Sequence, residues 1–246
     1  KFHATSAFNK ETGKSLKEKK DDYSKIFGDE LVKLAKKNDK IVAITAAMRD
    51  GTGLTNFAKE FPNRFFDVAI AEQHALTMAA GMAKEGLIPV VSIYSSFYQR
   101  AYDQVIHDIA IQNLHVIMCV DRAGIVGADG ETHQGLLDMA FFRLVPNLII
   151  MAPKDFKELE QMMEYAVKAQ KPILIRYPRG GEAKIKFDEP VHNFVNGSKK
   201  MVGTVFLVIL TYAILVSTYN HSFISTIITW VSESKLGINL VTVSII

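Results

Sequence analysis

Apolar and polar positions alternate along this chain in two rhythms. Apolar residues spaced three and four apart predict helices, and short unbroken apolar runs predict buried strands. The first rhythm begins at Tyr23, with Ile26, Phe27, Leu31 and Leu34 on one face and Lys36 and Lys37 in the last turn. Residues 40–45 predict a buried strand, 46–53 a loop with two glycines, and 54–61 a short helix. The run at 65–71 reads as another strand. Val68 to Ala71 has no polar face, which predicts a central strand covered on both sides. It runs straight into a helix at 72–85. Ala75, Leu76, Met78, Ala79, Ala80 and Met82 make that helix too apolar for a surface position. Strands follow at 88–93, 115–120, 147–151 and 172–176. Between them come helices at 97–113, with Ala101, Val105, Ile106, Ile109 and Ala110 as buried positions, at 136–144, and at 155–169 with Asp155 as N-cap.

Strand and helix thus alternate at least five times with short connections. That pattern predicts an α/β fold, a doubly wound parallel sheet with helices on both faces, over residues 22–180. Residues 1–21 are polar and Lys-rich, an arm or linker, and 181–203 are a polar, Gly-containing linker. The tail at 204–246 differs in character. Its apolar run at 205–216 is shorter than the ~20 residues of a membrane span, so a truncated second α/β unit is expected and no membrane anchor.

Composition narrows the class. A length of 246 residues suits one large domain, or one domain and part of another. A net charge of +3 is too small to point to nucleic acid. The single cysteine, Cys119, excludes a disulfide framework and makes a reducing, cytoplasmic compartment the default. The chain starts at Lys1 with no apolar leader and reads as a fragment.

Candidate chemistry falls where strands end. Glu72 stands where the 65–71 strand meets its helix, on the sheet edge where ligands bind in open α/β folds. Equally, a carboxylate there can simply favour the positive end of a helix dipole. The loops after three later strands carry Tyr94 and Arg100, then Arg122, Asp129 and His133, then Arg179. Three arginines on one edge point to a phosphate or carboxylate ligand, because the guanidinium fork matches those oxygens. Glycines at 124, 127, 130 and 135 permit close backbone approach. Each feature alone is commonplace, and only their convergence favours a site. No metal-ligand spacing and no Gly-Lys-Ser/Thr phosphate loop is present.

Four runs carry a family resemblance: DVAIAEQHA (67–75), YSSFYQRAYD (94–103), DRAGIVGADGETHQG (121–135) and RYPRG (176–180). Over roughly residues 1–180 the chain resembles the pyrimidine-binding middle domain of the 1-deoxy-D-xylulose-5-phosphate synthase family, transketolase-like thiamin-diphosphate enzymes. The resemblance implies condensation of pyruvate with glyceraldehyde 3-phosphate, with release of carbon dioxide. It implies that Glu72 bonds the cofactor's pyrimidine nitrogen, where a carboxyl held from water can share a proton with the ring, and that Phe97 stacks on that ring. Tyr94, Arg100, Arg122, Asp129, His133 and Arg179 match acceptor-site residues, the arginines for phosphate. His133 and, in the arm, His3 match catalytic histidines. The family's diphosphate- and magnesium-binding domain has no counterpart here, so thiamin diphosphate and Mg2+ would need a missing N-terminal domain, and the fragment alone is expected to be inactive. The resemblance further implies a homodimer. Ser217 to Thr229 departs from the family's Ala/Leu/Glu-rich helix, and Ala4 and Ala7 stand where the family often has Gly and Pro. Two alternatives stay open: the pyrimidine-binding subunit of a split transketolase, and a non-catalytic regulatory domain.

Overall fold

The computed structural model describes residues 7–14 and 21–182. His3 and the expected linker and second unit at 183–246 lie outside the described residues.

Among the described residues six strands form one sheet in the order β2-β1-β3-β4-β6-β5, every pair parallel. They are β1 (Ile41–Thr45), β2 (Phe65–Asp67), β3 (Ile88–Tyr94), β4 (Ile117–Asp121), β5 (Ile149–Met151) and β6 (Ile173–Arg176). Parallel neighbours require crossovers, and helices supply them. These are α2 (Thr55–Glu60), α3 (Glu72–Lys84), α4 (Ser95–Tyr98), α5 (Tyr102–Gln104), α6 (Asp138–Phe142) and α7 (Phe156–Lys168), while α1 (Tyr23–Lys37) precedes β1. Asp22 and Asp155 cap α1 and α7, accepting from the amides of Lys25 and Glu158, as expected of a short carboxylate at that position.

On one side, Ile44, Val91, Ile93, Met118, Val120 and Leu174 pack with α3 and the helical segment 95–110. On the other, α1 packs with α7 and α2. There Phe27 stacks on Tyr177 and Cys119 Sγ meets Met163 Sδ at 4.0 Å. The doubly wound parallel sheet read from the sequence is the one observed.

Four local expectations need correction. The run 65–71 is not a central strand. β2 ends at Asp67 and lies at the sheet edge, paired only with β1. Asp67 Oδ1 accepts from the amides of Ala47 and Ala69 (2.7 and 3.0 Å), and Ala69 takes a left-handed φ of 57°. That turn lifts the chain off the sheet and leaves Ile70 72% exposed. Helix α3 is correspondingly two-sided: Ala75, Leu76, Ala79 and Ala80 are buried, while Gln73, His74, Thr77 and Gly81 face solvent. The helix at 97–113 instead starts at Ser95 and is segmented, with a 3-10 turn at Gln99–Ala101 and a π turn at Val105–Ala110. Tyr98, fully buried, ties its first segment to β3 by donating to Val91 O at 2.9 Å. The helix at 136–144 shortens to α6, and Leu136, Leu137 and Leu144 are exposed.

Candidate active site

The strand order reverses at β1, which has β2 on one side and β3 on the other. In open α/β sheets the crevice outside the carboxyl ends at such a point is where ligands bind. The chain leaving β1 and the chain leaving β3 meet there, where the Tyr94 amide points at Met48 Sδ, 3.4 Å away. Gly51 lies against the Tyr94 ring: a Cβ at position 51 would fall 1.7 Å from the tyrosine hydroxyl. Only glycine lets this backbone come so close.

The register of β3 with β4 sets Tyr94 beside Asp121. The next residue, Arg122, has a left-handed backbone (φ 60°) that turns its side chain back over Tyr94. Its Cζ stands 3.6 Å from the Tyr94 ring centroid, a cation–π contact. Three acceptors hold the guanidinium. Nη1 donates to Gly51 O and Asp121 Oδ1, both at 3.0 Å, and Nε donates to Asp129 Oδ2 at 2.9 Å. The other Asp129 oxygen accepts from Arg179 Nη1. One carboxylate therefore bridges two arginines from different loops. Burial pushes the Tyr94 phenol above its ordinary value, so it stays a protonated donor at neutral pH.

Phe97 stacks with Tyr94 at 5.9 Å and meets the His133 ring edge-on at 5.2 Å. His133 Nδ1 is 2.8 Å from Thr132 Oγ1. Its loop is closed at the base, where Gly124 and Gly135 exchange two backbone hydrogen bonds of 2.8 Å. A Cβ at Gly135 would meet Arg122 O at 2.3 Å, so that closure also depends on glycine.

Glu72 opens α3 with only 2% of its side chain exposed, and its Oε2 accepts from Arg100 Nη1 at 3.0 Å. The expected gathering of three arginines is thus two groups. Arg122 and Arg179 share Asp129, while Arg100 stands with Glu72. Phe97, which stacks with Tyr94, lies three residues before Arg100 in the chain. Tyr94, Phe97, Arg122, Asp129, His133 and Arg179 are brought together as the loop positions implied.

Two participants were not singled out from the sequence. Gly51 sits in an ordinary glycine-containing loop, and nothing in its spacing marks the contact with Tyr94. Asp121 closes an apolar strand run, and a charged residue at the end of such a run was the available signal. Its carboxyl is fully buried, accepts from Ser24 Oγ at 2.7 Å, and is pushed up to about 6 by that burial. On the α1 side of Arg122 and Arg179 lies a cavity of about 560 Å3, also lined by Asp22, Ser24, Asp50 and Gly51. Among the described residues no group of acidic, histidine or cysteine side chains is arranged to hold a metal ion.

The sequence and the fold both have known relatives. The family model for the transketolase pyrimidine binding domain matches residues 19–181. A 1-deoxy-D-xylulose-5-phosphate synthase of Natranaerobius thermophilus is 62% identical over 182 residues, 73% of this chain and 29% of that protein. The synthase of Clostridium acetobutylicum is 56% identical over 197 residues, 80% of this chain and 32% of that one. The chain therefore spans about a third of the length of these relatives. A solved structure titled split gene transketolase, inactive beta4 tetramer, superposes with a TM-score of 0.59 at 31% identity, over 70% of this chain and 56% of that one. Transketolase from Campylobacter jejuni shares the fold with a TM-score of 0.62 at 20% identity, over 71% of this chain and 28% of its own. With its described core inside the matched segment, the chain belongs to the transketolase pyrimidine-binding domain family.

Proposed function

We propose that this chain is the pyrimidine-binding part of a thiamin-diphosphate-dependent synthase that condenses pyruvate with D-glyceraldehyde 3-phosphate to 1-deoxy-D-xylulose 5-phosphate and carbon dioxide. The observation that carries the reading is Glu72: a carboxylate shut from water at the start of α3, one oxygen held by Arg100 and Oε1 without a hydrogen bond among the described residues. Such an oxygen fits a ring nitrogen that must be held and share a proton. Phe97, half-buried and edge-on to His133, offers an apolar face of the kind a flat heterocycle stacks on. The bound cofactor would supply the electron sink for decarboxylation.

The remaining residues divide the acceptor's recognition. Arg122 and Arg179 present guanidinium donors suited to a phosphate dianion, which would compete with Asp129 for them. Tyr94 is held protonated and donates. His133 Nε2, with Nδ1 beside Thr132, is the nitrogen available for proton exchange with a hydroxyl or carbonyl of the substrate. Arg100 has one donor on Glu72 and half of its side chain exposed, so it reaches toward both the cofactor and the substrate. In this reading His3 takes a further proton-transfer role. Magnesium and the diphosphate are held by an N-terminal domain beyond this chain, in a cytoplasmic homodimer. The expected lack of a membrane or nucleic-acid partner belongs to the same reading.

The 31% likeness to a split-gene transketolase chain supports a second reading, a separate pyrimidine-binding subunit that pairs with another polypeptide. Sequencing upstream of the codon for Lys1 separates the two: an in-frame diphosphate-binding domain supports the synthase, and a stop codon supports the subunit. The substrate assignment is tested by product analysis of the intact enzyme given pyruvate and glyceraldehyde 3-phosphate. Formation of 1-deoxy-D-xylulose 5-phosphate is expected, and ketol transfer between sugar phosphates without decarboxylation would contradict it.

A further inference from the structure

Asp121 stands behind the arginine pair and does not itself line the cavity. Its side chain is 0% exposed and its two oxygens are divided between two elements. Oδ2 accepts from Ser24 Oγ on α1 at 2.7 Å, and Oδ1 accepts from Arg122 Nη1 at 3.0 Å. Adjacent residues on a strand point to opposite faces, so an i,i+1 ion pair is not the default. It forms here because the left-handed backbone at Arg122 swings the guanidinium back over its neighbour. Asp121 and Asp129 then hold the guanidinium from two sides, with Gly51 O as the third acceptor. Nη2 makes no hydrogen bond among the described residues, and Arg122 and Arg179 both line the cavity.

We propose that Asp121 is a positioning residue: anchored by Ser24, it fixes the Nη1 side of Arg122 so that the guanidinium keeps its remaining donors toward a phosphorylated substrate. The inference rests on the reading of Arg122 as a phosphate ligand. Without Asp121 the long side chain keeps Asp129 and Gly51 but loses the contact that sets its tilt over Tyr94. Fixed donors are worth more to an anion than mobile ones, because the ligand need not order them. The groups around Asp121 are Ser24 and Asp22 at the start of α1, Arg122, and the buried Cys119 and Tyr177. Among these only Arg122 carries positive charge, so the carboxylate acts on the site through that residue.

The test is steady-state kinetics of the intact enzyme with two acceptors, glyceraldehyde 3-phosphate and unphosphorylated glyceraldehyde. Asp121→Ser is expected to raise KM for the phosphorylated acceptor about tenfold. Its KM for pyruvate and its kcat/KM on unphosphorylated glyceraldehyde should stay within about twofold of wild type. Asp121→Asn keeps an acceptor oxygen toward Nη1 and should restore KM to within about threefold. If Asp121→Ser does not fold, Ser24→Ala takes its place, with a rise of about threefold confined to the phosphorylated acceptor. Equal losses on both acceptors would overturn the proposal, as would an unchanged KM. Arg122→Ala is the control. If it discriminates between the acceptors and the Asp121 and Ser24 variants do not, the positioning role fails and the phosphate reading stands. If Arg122→Ala affects both acceptors equally, the phosphate reading itself fails.

Discussion

Arg122 is the most constrained side chain of the site, and its neighbours define what substitution would do. Gly51 accepts its Nη1 and touches Tyr94, so Gly51→Ala drives a methyl into the tyrosine hydroxyl. The side chain must yield, because the backbone at 51 is held by the hydrogen bond to Arg122. We expect a stability loss of about 1–3 kcal/mol together with weaker binding of the phosphorylated acceptor, read by denaturant melts and KM. A variant with wild-type values in both would contradict the contact. Asp121 makes a pH prediction. Burial raises its carboxyl from 3.8 to about 6, so the folded chain keeps a proton over a range in which the unfolded chain has lost it. Lowering the pH from about 6 to about 4 therefore stabilises the fold through this residue, by something on the order of 3 kcal/mol. Asp121→Asn cannot titrate. Its stability relative to wild type should be highest above pH ~6 and fall as the pH drops to ~4, measured by melts across that range. A difference independent of pH would contradict the assigned burial.

The site loop between β4 and α6 is framed by pairs that its own sequence does not announce. Gly124 and Gly135 close its base, and Asp138 at the start of α6 receives Arg176 from β6 at 2.8 and 3.1 Å with its own side chain fully buried. Asp138→Ala leaves Arg176, 20% exposed, without that partner. A loss of about 3 kcal/mol is expected, with faster amide exchange in α6; a loss under about 1 kcal/mol would mean the pair is not what holds α6. β4 and β6 were legible as apolar runs, and β3 as one broken only by the buried Ser92, because both faces of those strands are covered. Val68–Ile70 has the same composition, yet the turn at Asp67 puts Ile70 in solvent. Apolar content reports what a segment can bury, not whether the sheet buries it. The breaks in the 95–110 segment were illegible for another reason: a change in hydrogen-bond spacing leaves the apolar stripe almost intact. The site was legible at the level of which loops meet, since every loop after a parallel strand reaches one edge. The partners within it were not. Whether Arg100 joins Glu72 or the other arginines depends on where a segmented helix points, and Asp121 hid at the end of an apolar run.

At the scale of the whole fold, the parallel sheet of the described residues, whose strand order turns at β1, brings the β1, β3, β4 and β6 loops to a common rim. The chain nevertheless covers about a third of its relatives, and among the described residues no helix is long and apolar enough to cross a membrane. If the cofactor is held jointly with a further domain, the isolated chain given thiamin diphosphate and magnesium should show no exchange at the cofactor's thiazolium C2 above that of free cofactor. Enhanced exchange would contradict that division. In the intact enzyme Arg179→Ala should raise KM for glyceraldehyde 3-phosphate by about tenfold or more and leave that for pyruvate nearly unchanged; equal rises would remove the phosphate assignment. The most direct test of the central claim is hydrogen–deuterium exchange at C2 in the intact enzyme carrying Glu72→Ala. A drop of about a hundredfold or more is expected if this buried carboxylate assists the ring in ionising that carbon, and an unchanged exchange rate would contradict the account.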